Sequence, residues 1–404
     1  MRIATASTYD SSIANMQQRQ QDLADAQMRL TSGKRVLQAS DDPGAAARAE
    51  RALAGSEKAV ASQRALQASR SAMTQAESAL GDAVGLLQSS RDGLVAAGNA
   101  TYTAAERQGL AAQLQQYRDQ LLQIANAQDG AGRYLFAGQG ADGAPFVDTS
   151  PPTGAVVFNG VAGELGSSAS ELLPLTVDGS YAWMSAPTGN GVFVTEAVIS
   201  NGSATIDAGQ VVDPTALQDL RYDIVFDAAG TSYSIQRLDP VSATPLAPPD
   251  PPSPYSSGQP IVVDGMSVTV SGTPAGGDSF RITPSRTELS VFKVLDQAIA
   301  ALQNPLASST QIAQGVATGL RDLDAVLGRM QSARSAAGDA LNRIDRIEDR
   351  NAADQLAHQV ERSDAEDLDM VQAISEFQNK QSGYDAVLKT YGMVQRLSLF
   401  QYLA

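Results

Sequence analysis

Residues 66–97 read LQASRSAMTQAESALGDAVGLLQSSRDGLVAA, and their spacing decides the architecture. Leu66, Met73, Leu80, Leu87 and Leu94 recur every seven residues, with the smaller Ala76, Ala83 and Ala97 three residues after Met73, Leu80 and Leu94. A seven-residue apolar repeat keeps one stripe of a helix turned toward a partner, which makes this stretch a coiled-coil seam. Gly81, Gly85 and Gly93 interrupt it. Each disfavours helix by about 0.5–1 kcal/mol relative to Ala, so the sequence predicts a close contact with the partner helix at these points.

Outward from the seam, Gly98-Asn99 reads as a helix stop, and Thr103 with Glu106 three residues on reads as a capping box for the next helix. Leu110, Leu114, Tyr117, Leu121 and Ile124 give that helix one apolar face. On the other side, Ser40-Asp41-Asp42-Pro43 ahead of an alanine-rich run is a helix start. Asp serves as N-cap and Pro fills the first helical position, where its missing N–H does no harm.

The same Ala, Gln, Leu and Arg alphabet returns after residue 284. Ser285 and Glu288 read as a capping box ahead of Phe292, Leu295, Ile299 and Leu302, and Asn304-Pro305 ends that short helix. Beyond Ser308 no proline occurs, and Leu320, Leu323, Leu327, Met330, Ala337, Leu341 and Ile344 keep spacings of three and four, broken only by Arg334. The helix is expected to reach about Arg362, where Ser363 and Glu366 read as the N-cap of one more helix. Weaker seams close both ends: Tyr9, Ile13, Met16, Gln20, Leu23, Gln27 and Leu30 on one side, and Ile374, Phe377, Gln381, Tyr384, Leu388, Tyr391 and Gln395 on the other.

Between the flanks, about residues 141–284, the composition shifts to Gly, Pro, Val, Thr and Ser, with strand-like alternation. Ile261–Val263, Asp264-Gly265 and Met266–Val270 form the clearest hairpin, because Asp-Gly tolerates the positive dihedrals of a two-residue turn. Tyr222–Phe226 and Tyr233–Ile235 suggest a second. Eight prolines between Pro240 and Pro260 rule out a central strand there, leaving an exposed loop or a linker between two small β modules.

The fold class is therefore α+β with its parts segregated: two long helical flanks, the first carrying a coiled-coil seam, around a central β-rich insert of one or two modules. With 44 acidic against 29 basic residues the formal charge is -15, which repels nucleic acid and anionic membrane. Cysteine is absent, which excludes disulfides and thiolate chemistry. No apolar run approaches the roughly 18 residues of a membrane span, and the first thirty residues hold no secretory-signal pattern. Catalytic triads need histidine, and the only one, His358, falls among Asp354, Gln355, Gln359 and Glu361 on a face read as solvated. Gly33-Lys34 lacks the earlier glycine of a phosphate-binding loop, and the acidic run from Asp364 to Asp369 lacks the central glycine of a calcium loop. No catalytic, cofactor or metal residue is assigned, and the chain does not read as an enzyme.

Leu30-Thr31-Ser32-Gly33-Lys34-Arg35-Val36 followed by Ser40-Asp41-Asp42-Pro43 resembles the N-terminal signature of the flagellin family. Arg334, Gly338, Asn342-Arg343, Ser363-Asp364-Ala365-Glu366-Asp367 and a tail containing Phe377, Leu388, Leu399 and Phe400 resemble its C-terminal signature. Arg133–Gly138 and Pro145-Phe146, with Met16 and Gln27, are similar to the hook-associated branch of that family, and Gly277-Asp278-Ser279-Phe280 to a pattern shared among its members. The resemblance implies that the two flanks pair as a long antiparallel helical coiled coil or bundle, and that the chain has three parts. These are a terminal coiled coil (1–42 and 370–404), a helical rod (43–140 and 285–369), and an outward β insert (141–284) with a possible split near 210 and the Pro-rich loop at 240–260. It implies an extracellular structural subunit at the boundary of hook and filament, exported unfolded through the flagellar type III apparatus with an export chaperone, and folding its ends on assembly. It further implies a ring-like homo-oligomer in contact with hook-associated protein 1 and flagellin, with those signature residues as the assembly set. The alternatives are a filament flagellin and an adhesive or glycan-binding role for the insert.

Overall fold

The structure, a computed structural model, describes residues 2–99, 102–149, 155–166, 173–199, 201–305 and 307–403. The side chains of residues 2–9 and 394–403, and with them Tyr9, Gln395, Leu399 and Phe400, lie outside the described set. Two compact units are present: Met1–Arg64 with Arg346–Ala404, and Ala65–Asp345.

The long helices α2 (Pro43–Ala97) and α5 (Ser309–Glu366) contribute to both units and run antiparallel in each. In the first unit, Gln63 donates to Glu348 at 2.6 Å and Asn351 to the Ala59 carbonyl at 2.9 Å. In the second, Arg70 pairs with Asp345, Arg334 with Glu77 at 2.7 Å, and Arg91 with Asp324 at 2.7 Å. Numbers rise on one helix as they fall on the other. Every member of the α2 seam from Leu66 to Ala97 is buried, and each buried leucine stabilises by about 1.5–3 kcal/mol. On α5 the seam is unbroken. Ala333 is buried where the spacing had placed Arg334, which instead lies exposed on the helix flank and reaches Glu77.

The glycines follow the expectation only in part: a Cβ at Gly81 would meet Arg334 of α5 at 3.4 Å. A Cβ at Gly85 would meet nothing within 4 Å, and one at Gly93 would only touch Leu114 at 3.8 Å. Close approach occurs elsewhere: a Cβ at Gly319 would stand 2.7 Å from Leu94 Cδ2, and one at Gly55 would stand 2.6 Å from the ring of His358. His358 is therefore half-buried over Gly55 and not on a solvated face.

Helix α3 (Ala104–Ala125) starts at the Thr103–Glu106 capping box, reciprocal as expected. Helix α4 (Val291–Gln303) starts later than the Ser285–Glu288 pattern suggested. Ser290 is its N-cap, accepting from the Lys293 amide at 3.1 Å, because residues 287–289 are drawn into a strand instead. Helix α5 opens on a reciprocal Ser308–Gln311 pair. Between α3 and α4, the nearly fully buried Arg118 binds Asp296 of α4 at 2.5 Å and Asp148 at 2.7 Å.

The strands make two assemblies inside the second unit. Strand β1 (Phe146–Asp148) pairs with β2 (Val156–Phe158), and β3 (Ala186–Pro187) pairs with β13 (Thr287–Leu289). Around them Trp183 stacks on Phe292 of α4 at 6.0 Å, with Phe136 and Phe146 at 5.6 and 6.0 Å from the indole. The larger assembly has a five-stranded sheet ordered β4–β12–β7–β8–β9 and a second sheet of β10, β11, β5 and β6. Here β4 is Phe193–Ile199, β5 Thr205–Ile206, β6 Gln210–Val211, β7 Arg221–Phe226, β8 Ser232–Leu238, β9 Ser253–Pro254, β10 Pro260–Val263, β11 Met266–Ser271 and β12 Ser279–Pro284. One core, including Phe193, Tyr222, Ile224, Val268, Val270, Phe280 and Ile282, is shared by both sheets. The expected β10–β11 hairpin turns at Asp264 and Gly265, with φ of 44° and 82°. The Pro-rich segment is a strap along β8, held by Arg237 to Asp250 at 2.8 Å and by β9.

Candidate assembly site

The two terminal signatures meet in the first unit, where the chain turns out of one helix pair and into the other. Helix α1 (Arg2–Ser32) ends at Gly33, whose φ of 71° is a left-handed stop that suits glycine. Ser32 back-bonds to the Arg29 carbonyl at 3.1 Å, and Lys34 pairs with Glu366 at 3.1 Å. The backbones then zip together: Arg35 N–H donates to the Glu366 carbonyl at 2.7 Å and Leu368 N–H to the Gly33 carbonyl at 2.9 Å. Arg35 ties three segments, donating to the Ala365 carbonyl at 2.8 Å and to Asp42 at 3.2 Å.

Asp42 caps α2 as the sequence predicts. Its Oδ1 accepts the Ala45 amide at 2.9 Å, and Pro43 is the first helical residue. That amide, and then Arg35, hold the Asp42 carboxyl below the usual carboxylate range. Asp41 is lowered likewise by the amides of Gln38 and Leu37, which its Oδ2 accepts at 3.0 Å each.

Ser363 does not begin a helix. It lies in the last turn of α5, and Asp367 N–H donates to its carbonyl at 2.8 Å. The cap of helix α6 (Met370–Leu403) is Asp369, which accepts the amides of Val371 and Gln372 at 2.9 and 3.2 Å. Acids at a helix C-terminus oppose its dipole, and Arg362 and Lys34 offset this by pairing with Glu366 at 2.7 and 3.1 Å. Glu366 is thus the hub of the joint and not the capping partner of Ser363 that the sequence suggested; Arg362 four residues earlier was the available signal.

Beyond the joint, α1 and α6 pack antiparallel, with Arg19 filling the space over Gly383. Their seam is thin. Ile13, Met16, Leu23 and Leu30 are only half-buried, as are Phe377, Tyr384 and Tyr391. On α6 the alternate positions are Ala373, Lys380 and Val387; the expected Ile374, Gln381 and Leu388 are exposed, one residue off. Among these thirteen helical positions only Ala373 is fully buried, so Met370, Val371, Ile374, Leu388 and Met393 leave an apolar surface open.

Of the signature set, the joint gathers Leu30, Ser32, Gly33, Arg35, Asp41, Asp42, Pro43, Ser363, Asp364 and Asp367, with Phe377 and Leu388 on α6. Arg334, Asn342 and Arg343 are exposed on the α5 stretch that belongs to the second unit. Leu399 and Phe400 fall outside the described side chains. In the insert, Asp278 of the Gly277–Phe280 pattern is fully buried and accepts three backbone amides. Among the described residues no group of three or more His, Asp or Glu is placed to hold a metal ion, and no helix is long and apolar enough to cross a membrane.

Residues 3–141 match the family model described as bacterial flagellin N-terminal helical region, and residues 195–284 match that of flagellar hook-associated protein 1, D2-like domain. Flagellar hook-associated protein 3 of Escherichia coli strain K12 is 26% identical over 405 residues, with 99% of each chain covered. The structure of flagellar hook associated protein-3 from Legionella pneumophila has a TM-score of 0.69 at 27% identity, over 77% of this chain and 96% of that one. The FlgL of Xanthomonas campestris (space group C2) gives 0.66 at 25% identity, over 77% and 98%. In its helical flanks, its joint and these matches the chain is similar to the flagellin-like proteins of the bacterial flagellum. Within that class its likeness, in sequence and in fold, is to flagellar hook-associated protein 3.

Proposed function

We propose that this chain is an extracellular structural subunit of the flagellum that forms the layer between hook and filament. The full-length likeness to hook-associated protein 3 carries the reading. The thin α1–α6 seam supports its mechanism: ends that bury so little alone gain their stability from the same ends of neighbouring copies. In this reading copies form a ring-like homo-oligomer, with hook-associated protein 1 below and flagellin above, after export with a chaperone. The joint residues Gly33, Arg35, Asp41, Asp42, Ser363 and Asp367 set the angle at which the terminal pair is presented, and Arg334, Asn342 and Arg343 offer a lateral contact. The terminal, rod and insert segments at 1–42/370–404, 43–140/285–369 and 141–284 serve as inner, middle and outer layers. The chain performs no catalysis in this role.

The test is genetic and visual. Cells lacking the chain should carry bare hooks and shed flagellin, and restoring it with an epitope in the 240–252 strap should place label at one band per flagellum. Label along the filament would instead identify a filament flagellin, and filaments growing normally without the chain would overturn the reading.

A further inference from the structure

The charge of the chain is divided unevenly. Residues 141–284 hold 15 Asp and Glu side chains against three arginines and no lysine, so a net charge of −12 lies there. Residues 1–140 and 285–404 together hold 26 basic and 29 acidic side chains and are close to neutral. The three arginines of the insert are already committed. Arg221 and Arg281 both meet Asp223, at 2.7 and 2.9 Å, and Arg237 meets Asp250 and Asp264 at 2.8 and 3.0 Å.

The same insert carries open sheet edges, and Glu196 stands on one of them, strand β4. An edge strand presents unpaired amides and carbonyls to any other strand, and proteins blunt it with lysine, proline or a covering element. Strand β5 is covered: Gln314 of α5 accepts the Ile206 amide at 3.2 Å and donates to the Ile206 carbonyl at 3.3 Å, as a neighbouring strand would. Strand β9 ends on Pro254, just after Pro251 and Pro252. Two edges have less. Strand β4 ends the five-stranded sheet across a cleft from α4 and α5, from which Arg321 reaches the Thr195 carbonyl at 3.3 Å, while Val198 and Ile199 at its end are exposed. Strand β10 ends the other sheet with Val262 61% exposed, guarded only by Pro260 at its start. No lysine stands on either.

We propose that the unneutralised negative charge of the insert keeps the β4 and β10 edges of neighbouring copies from pairing, so that copies of this chain associate through their near-neutral helical segments. The surface is thus a repulsive one, matched against a second copy of itself. The inference assumes that copies lie side by side, as in the proposed assembly, yet its test needs no flagellum.

Because the chain has no cysteine, single thiols report contacts cleanly. The full chain carrying Val262→Cys on β10, or Val371→Cys on the exposed face of α6 as control, is oxidised with copper phenanthroline across a salt series. The Debye length falls from about 14 Å at 0.05 M to about 3 Å at 1 M, so V262C disulfide dimer should rise roughly tenfold while V371C changes less than about twofold. Asp142→Asn, Glu164→Gln, Glu196→Gln and Asp219→Asn remove four exposed charges whose side chains make no hydrogen bond or ion pair among the described residues. Together, in the V262C chain, they should give the high-salt yield already at low salt. A V262C yield flat across salt, or unchanged by the four substitutions, overturns the proposal. An equal rise in V371C also overturns it, since the repulsion would then not belong to the insert.

Discussion

Removing the Asp278 carboxylate should loosen the β insert selectively. Asp278 is fully buried; its Oδ1 accepts the Asn201 amide at 2.7 Å, and its Oδ2 those of Gly202 and Ala275 at 3.1 and 2.8 Å. Its own carbonyl accepts the Phe226 amide at 2.9 Å, so the same residue anchors β7. A hydrogen bond to a charged group contributes about 1.5–3 kcal/mol, and a buried donor left unmade costs about 1–3 kcal/mol. Asp278→Ala strands three donors, and with partial rescue by water the loss is about 3–5 kcal/mol. Asp278→Asn keeps the volume but can satisfy Asn201 or the Gly202–Ala275 pair, not both, because its NH2 then faces a donor; about 2–4 kcal/mol is expected. The chain has two units, so a single melting curve is not two-state, and native-state hydrogen exchange is the suitable assay. The amides of Ile224, Phe280 and Ile282 should lose protection by these amounts while those of Leu80 and Leu87 keep theirs. A loss below about 0.5 kcal/mol in D278A would refute the reasoning.

Three further outcomes follow from the packing. Replacing residues 189–285 by a short Gly-Ser linker should leave helical melting and junction formation intact, because Thr188 N–H already donates to the Arg286 carbonyl at 2.9 Å; the wider deletion 145–283 should lower the melting temperature, since it strips Phe146 and Trp183 from Phe292. Gly55→Val should destabilise the first unit by about 1–3 kcal/mol through overlap with the His358 ring, and His358→Ala should return most of that loss in a double-mutant cycle read by chemical denaturation. Asp41 and Asp42 have folded values below their unfolded ones, so their contribution to the joint is present at neutral pH and is lost as pH falls through those lowered values. Protease cutting at residues 33–42 should accordingly rise in acid, and Asp42→Asn should cut readily at neutral pH.

The helices of the second unit were legible because Leu66 to Leu94 repeat without rivals: one face is apolar and the others are not. Helix α6 was harder for the opposite reason. Ile374 competes with Ala373 and Leu388 with Val387 for one seam, so apolarity on several faces leaves the register open, and the packed choice is the smaller residue in each case. Capping motifs tell which residues are able to cap, not which do. Thr103 and Asp42 were read correctly, but Ser285 lost to Ser290 because β13 pairs with β3, and Ser363 lost to Asp369 because α5 runs on without a break. The Arg334 position shows the same effect one residue wide: Ala333 buries, and the arginine reaches round to Glu77. The shared sandwich core and the Trp183 cluster depend on contacts between distant strands and helices, for which no local spacing is diagnostic.

In the proposed assembly the terminal helices complete their folding only on joining neighbouring copies. Apart from the buried Ala373, the described seam positions of α1 and α6 are half-buried at best, with Gln20, Gln27, Ile374 and Leu388 exposed, whereas ordering each residue costs about 1–2 kcal/mol of backbone entropy. The direct measurement is limited proteolysis of the dilute monomer with mass mapping, followed by return of the trimmed chain to cells that lack it. Residues of about 1–40 and 372–404 should be lost rapidly, leaving a core that keeps cooperative unfolding and restores no junction. Ends that resist protease in the dilute monomer, or a trimmed core that still builds a junction, would contradict the account.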